Sequence, residues 1–290
     1  MPAARVVISE VGPRDGLQNA ARCRPTAAKR AWIDALHAAG LREIEVGSFV
    51  PPRLLPQMAD VAEVARHALT LPGLTVMALV PNAVGAADAL AAGVHELTIS
   101  LSASAAHSLA NLRKTPEQML DELPRIVALR DELAPGVHVE VGLSDTTGMA
   151  DPEAARRLVQ RLRAAIGPKA GAAELHNTRG LGLANCLAAC DVGVCTFDAS
   201  QGGLRGCPCA PGASANVVTE DLVFMFEAMG VATGVDLHAL VAARQALLVG
   251  LPGEPLYGML PEAGLPKGCT YAEGRLPPAA AFLASWTGVV

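Results

Sequence analysis

Aromatic residues are scarce. Phe, Tyr and Trp make up 3% of the 290 residues, although 51% of the chain is hydrophobic, so the core has to be built from Ala, Val and Leu. Basic charge is not in excess either. With 23 Lys and Arg against 28 Asp and Glu the formal net charge is -5, which argues against nucleic acid as a partner. The 7 cysteines are an odd number and form no CxxC pair, a pattern of reduced thiols in a cytoplasm rather than of a disulfide framework. No signal-peptide pattern precedes the first apolar run, which Arg5 introduces. The longest uncharged stretches, Ala68 to Ala87 and Leu276 to Val290, are broken by Pro72, Pro81, Pro277 and Pro278, so neither is a membrane span.

What is present is a repeated alternation of short apolar strands and amphipathic helices, with no linker or charge block to divide it. Strands are expected at Val6 to Ile8, Glu43 to Phe49, Thr75 to Val80, Glu96 to Leu101, Val137 to Leu143, Gly171 to Leu175 and Cys195 to Ala199. Between them, Thr26 and Thr219 are candidate helix caps, Thr115-Pro116-Glu117-Gln118 is a capping box, and Gly40, Gly93, Gly193 and Gly230 are stops. The helix after the capping box carries Pro124, a candidate kink. Such alternation means a parallel sheet with right-handed crossovers. A TIM-type barrel is favoured over an open doubly wound sheet, because polar groups end many strands and no GxGxxG opens the first helix. Only seven strands are found where a closed barrel of this type has eight. Residues 1–250 read as the barrel domain. Residues 251–290 read as a Pro-rich extension packed on it, too Pro-broken for a further helix before Ala279 to Trp286.

The strand ends collect the chemistry. The first runs into Glu10-Val-Gly-Pro-Arg14-Asp15-Gly-Leu-Gln18-Asn19, where a guanidinium beside a carboxylate in a Gly/Pro-framed turn can be a surface ion pair, or an oxyanion clamp beside a metal ligand. Further strand ends supply Glu45, Asp145, and His176 with Asn177; the last loop supplies Cys207 and Asn216. Asp15 and His176 suit a divalent cation such as Mg²⁺, Mn²⁺ or Zn²⁺. Asp145, before Thr-Thr-Gly, is by itself an Asx-turn residue. The run Ser200 to Cys209 is either a glycine-rich connection with buried thiols or a mobile lid that brings a thiol over the barrel mouth.

These segments resemble the hydroxymethylglutaryl-CoA lyase family of metal-dependent, Claisen-type barrel enzymes. The matching stretches are Val11 to Asn19, Glu45 to Val50, Pro56 to Asp60, Ser144 to Gly148, His176 to Gly180, Gly206-Cys-Pro208 and Gly212 to Asn216 through Leu222. The resemblance implies retro-Claisen cleavage of a 3-hydroxy-3-methylglutaryl thioester to acetyl-CoA and acetoacetate, the chemistry of leucine degradation. It implies Asp15, His176 and Asn216 as metal ligands, Arg14 as the enolate-stabilising cation, Cys207 as the lid cysteine, and Glu45, Asp145 and Gln18 as further active-site groups. It also implies Mg²⁺ or Mn²⁺ as cofactor, with Zn²⁺ as an alternative, and an acyl-CoA thioester as substrate.

The departures are local. Glu174-Leu-His176 stands where the family has His-x-His, so Glu174 takes the place of one histidine ligand. Arg205 enters an otherwise all-glycine lid, and Cys209 replaces an aromatic residue. One βα unit is lost near Val137 to Gly148, which looks like a join between two similar strands, and exposed edges at a gap there would invite self-association. Three readings follow: the lyase, a relative of changed substrate such as a citramalyl-CoA lyase or a synthase, and a weakened homologue with a binding role. A homodimer is the default assembly.

Overall fold

The computed structural model describes residues 5–20, 22–102, 108–109, 113–166, 172–204 and 215–266. Alternation makes its strands. In Glu96–Ser102, and in His138–Asp145 as far as Ser144, the polar residues and glycine occupy every second position, giving each strand one polar and one apolar face. The apolar faces, with Ile44, Val76, Leu97 and Phe197, are buried under the helices, and the polar faces line the interior.

Seven parallel strands close on themselves: β1 (Val7–Glu10), β2 (Glu43–Ser48), β3 (Thr75–Leu79), β4 (Glu96–Ser102), β5 (His138–Asp145), β6 (Ala173–Leu175) and β7 (Thr196–Ala199). β1 pairs with both β2 and β7. A barrel short of one strand must either leave a gap or re-pair around it, and this one re-pairs. β4 pairs with β5 in unbroken register from Glu96↔His138 to Ser102↔Ser144, so the join is sealed and no strand edge is left open there. A barrel narrows as strands are removed, and short inward residues fit that: Ser9, Thr98, Ser100 and Gly142.

The helices are α1 (Thr26–Ala38), α2 (Val61–Ala68), α3 (Ala83–Ala92), α4 (Pro116–Leu133), α5 (Pro152–Ile166), α6 (Gly182–Asp191), α7 (Thr219–Ala228), α8 (Leu237–Gly250) and α9 (Met259–Ala263). The Thr115–Gln118 capping box forms in both directions, and α4 continues through Pro124. Thr26 and Thr219 do not cap. Each is the first helical residue, and its hydroxyl is taken by a distant carboxylate, Asp60 and Glu10 respectively. α9 is a further correction, since a helix was not expected among these prolines. Asp221 on α7 accepts the N–H groups of Met259 and Leu260 and so holds its first turn. Among the described residues no helix is long and apolar enough to cross a membrane.

The barrel floor is acidic. Burial pushes Glu140 up to about 8, helped by its hydrogen-bonded neighbour Glu96, and pushes Glu43 up to about 7. Near β1, burial raises Glu10 to about 8. Such groups hold protons in the folded chain that the unfolded chain releases above its ordinary value of 4.5. Their contribution to stability is therefore complete below pH 4.5 and is lost as pH rises through 7 to 8. Tm at pH 9 is expected to lie about 5 °C or more below Tm at pH 6 by scanning calorimetry. A flat or rising Tm across that interval would contradict protonated carboxyls in the floor.

Candidate active site

The site begins where β1 stops. Gly12–Gly16 forms a single wide π-type turn, in which the Val11 carbonyl accepts from the N–H groups of both Arg14 and Asp15. Such turns recur at functional positions because they re-aim side chains inward. Gly12 is required for steric reasons: a Cβ there would stand 2.5 Å from Glu10 Oε1. Arg14 and Asp15 are buried, and the Arg14 guanidinium reaches Asp15 Oδ1 at 2.8 Å, Glu45 Oε2 in a short contact through Nε, and Glu174 Oε1 at 3.8 Å. Burial alone would loosen the guanidinium proton. The carboxylates of Glu45, Asp15 and Glu174 outweigh it and hold that proton more tightly than usual, so Arg14 is a permanent cation.

Across the mouth stand Glu174 and His176, at the end of β6 and just beyond it. Asn216 pairs with His176 through an isolated antiparallel bridge. The segment around it is wedged between the ends of β6 and β7. Val217 donates its N–H to the Leu175 carbonyl, and its own carbonyl accepts from Ser200 N–H. One donor atom each from Asp15, Glu174 and His176 lie within 4.8 Å of one another, all buried. Asn216 donates from Nδ2 to Asp15 Oδ2 at 3.2 Å, while its buried Oδ1 has no hydrogen-bond partner among the described residues. An orphaned amide oxygen beside two carboxylates and an imidazole is the donor set of a divalent-cation site, and these four residues fit one. Burial would raise Glu174, but the adjacent His176 imidazole, 3.7 Å away, and the Arg14 charge outweigh it and hold the carboxyl well below the usual range, in its ionised form.

Not every residue expected from the sequence joins this cluster. Gln18 does, donating to Asp15 Oδ1 at 3.2 Å, as does Glu45, which is also held by the Thr98 hydroxyl. Asp145 ends β5, yet its carboxylate accepts from Thr147 Oγ1 and from the N–H groups of Met149 and Ala150, so its oxygens organise their own turn. Cys207, Arg205 and Cys209 lie outside the described residues.

Several groups were missed. Ser100 donates to Glu174 Oε2 at 3.4 Å and Thr98 clamps Glu45; both were visible as inward positions of β4 by strict alternation. Glu10 opens the run that carries Arg14 and Asp15 but had no assigned role, because it closes an apolar strand and two of its three partners are distant. Fully buried, it accepts from Gly12 N–H, Gln201 N–H and the Thr219 hydroxyl at 2.9, 2.9 and 2.7 Å. One carboxyl thus ties the Arg14–Asp15 turn to Gln201 beyond β7 and to Thr219 at the start of α7. Glu10→Ala leaves buried donors unsatisfied, at a cost of about 1–3 kcal/mol each. The expected result is a lower urea midpoint together with weaker Mn²⁺ binding by calorimetry, both largely restored by Gln, which keeps the shared acceptor oxygen. Unchanged Mn²⁺ binding in the Ala variant would remove Glu10 from the site's support.

Comparison with known proteins agrees with this geometry. The HMGL-like family matches residues 5–139 and again 136–247. The two matches overlap at the start of β5, where the lost βα unit was inferred. The chain is 35% identical over 273 residues to hydroxymethylglutaryl-CoA lyase of Bacillus subtilis, covering 83% of this chain and 91% of that one. It is 38% identical over 301 residues to (R)-citramalyl-CoA lyase of Chloroflexus aurantiacus, covering 89% and 95%. Among solved structures, an HMG-CoA lyase from Acinetobacter baumannii in complex with coenzyme A and 3-methylmalate superposes with a TM-score of 0.82 at 36% identity, covering 92% of this chain and 97% of that one. With its barrel, its Arg14–Asp15 turn and a match that runs over most of its length, this chain belongs to the HMGL-like family.

Proposed function

We propose that this protein is a divalent-metal-dependent carbon–carbon lyase that cleaves 3-hydroxy-3-methylglutaryl-CoA to acetyl-CoA and acetoacetate. The observation that carries the reading is the placement of the fixed Arg14 cation against a buried Asp15–Glu174–His176 donor cluster at the barrel mouth. Residues Asp15, Glu174, His176 and Asn216 would hold the ion. When bound, it supplies Lewis acidity that makes a coordinated hydroxyl easier to ionise. The chain's own groups do the rest. In the cleavage a proton passes from the C3 hydroxyl to the ionised Glu174 carboxylate, the C2–C3 bond breaks with its electron pair passing to C2, and C3 becomes the ketone carbon. Negative charge grows on the thioester oxygen, where Arg14, pre-oriented by Glu45 and Asp15, stabilises it without reorganising. Cys207 is the proposed proton donor to C2, which completes acetyl-CoA. Glu45 and Gln18 fix the clamp, and Asp145 shapes the turn beside it.

The donor set favours Mg²⁺ or Mn²⁺. Three of four ligands present oxygen, and Glu174 replaces the imidazole that would draw Zn²⁺. A homodimer in a reducing cytoplasm is the expected state, in keeping with the free thiols of Cys186 and Cys190. The citramalyl-CoA relative supports a second reading, in which a 3-hydroxyacyl-CoA of different chain is cleaved by the same clamp. Offering both thioesters to the Mn²⁺-loaded enzyme and comparing kcat/KM separates the two: the first reading expects the methylglutaryl thioester to be preferred at least tenfold.

A further inference from the structure

Two flanks of α5 do different things. Arg156 pairs with Asp191 on α6 at 3.1 Å, and Arg163 reaches the carbonyls of Val192 and Gly193, which identifies the flank facing α6. Ala154, Arg157, Leu158 and Arg161 share another face of the helix and line an open cleft of about 900 Å³. The turn after β5 closes the upper end of this cleft with Asp145, Thr147 and Met149, which is 75% exposed. That turn is a fixed wall. Besides the Asp145 carboxylate, Arg179 holds it through the Thr147 carbonyl and Asn185 through the Ala150 carbonyl, both at 2.8 Å. Ser144 and Asp145 pair in register with Glu174 and Leu175, so the cleft starts one strand away from the donor cluster.

Positive charge is in excess there. Arg157 shares Glu153 with Arg156, at 3.4 and 3.6 Å. Arg161 and Arg179 have no ion-pair partner among the described residues, and Arg179 donates to the neutral carbonyls of Thr147 and Gly148. Asp145, the acid among the described lining residues, gives its oxygens to Thr147 Oγ1 and to the N–H groups of Met149 and Ala150. Next to these cations Met149 and the half-buried Leu158 present an apolar surface. Guanidinium forks match phosphate oxygens, and a thioether beside an aliphatic side chain suits the face or edge of an aromatic ring. The other large groove, between α2 and α3, holds Arg66 together with Asp88 and so offers a phosphate no net charge.

We propose that this cleft holds the nucleotide end of the coenzyme A thioester, with its phosphates on Arg157 and Arg161 and its adenine on Met149 and Leu158. The proposal rests on the acyl-CoA reading above and adds the residues that select the carrier. Calorimetric titration of the wild type and of Arg157→Ala/Arg161→Ala with free coenzyme A at low salt tests it without turnover. Both side chains are exposed and alanine is the best helix former, so α5 keeps its fold. Coenzyme A should bind about tenfold or more weakly to the double variant, while Arg66→Ala stays within about twofold of wild type. In the Mn²⁺-loaded enzyme the loss should fall in KM for 3-hydroxy-3-methylglutaryl-CoA rather than in kcat. The gap between variant and wild type should close when the same acyl group is carried on pantetheine, which lacks the nucleotide. A chain that binds coenzyme A through the Arg157–Arg161 pair and cleaves nothing contradicts the lyase reading and keeps the cleft assignment. Equal coenzyme A affinity in wild type and double variant, a wild type that binds none, or a loss that Arg66→Ala reproduces overturns the proposal.

Discussion

Replacing Arg14 by Gln is expected to slow thioester cleavage about 10³-fold in kcat, with KM for the substrate changed much less. The guanidinium is a donor aimed at charge that exists only in the transition state, so its loss falls on the chemical step. It also has a structural cost. Arg14 faces Glu45, Asp15 and Glu174 in a buried site, and removing one partner of such a group leaves uncompensated charge worth about 3–5 kcal/mol. Tm should therefore fall as well, and kcat has to be read below the variant's transition with metal at saturation. Lys at this position returns the charge without the planar fork that spans Glu45 and Asp15, so it should recover stability more fully than rate. An Arg14→Gln chain that turns over within tenfold of wild type would take Arg14 out of the chemistry.

The second large effect concerns Glu174. Glu174→His should raise Zn²⁺ affinity by about tenfold or more, ~1.4 kcal/mol, because imidazole is the softer donor. Mg²⁺ should bind more weakly, since a negative oxygen ligand is lost. The substitution also frees Arg14 from one of its three carboxylates. Isothermal titration with each ion measures the shift. Equal affinities for both ions before and after substitution would show that position 174 does not ligate, leaving Asp15, His176 and Asn216 as the set.

Much of this architecture was legible because it is local. The alternation of Glu96, Thr98 and Ser100 along β4, and of Glu140, Gly142 and Ser144 along β5, marks both the strands and their inward faces. The Thr115 capping box needs only its own four residues. What could not be read depends on partners far away in sequence. Thr26 and Thr219 have the composition of caps, but Asp60 and Glu10 take their hydroxyls. Closure of a seven-membered ring turns on β4 meeting β5, a pairing that no local pattern encodes. In the site, the Arg14–Asp15 turn announces itself, whereas the Glu10 carboxyl that braces it looks like the end of an apolar strand. Asp145 could be read either way, and the structure commits its oxygens to the turn.

Release of acetyl-CoA from 3-hydroxy-3-methylglutaryl-CoA by the Mn²⁺- or Mg²⁺-loaded protein tests the central claim most directly. The reading expects acetyl-CoA and acetoacetate in equal amounts, at a rate that falls to background when the ion is chelated and returns when it is restored. Release no faster than that of the Arg14→Gln chain, at saturating metal, would contradict it.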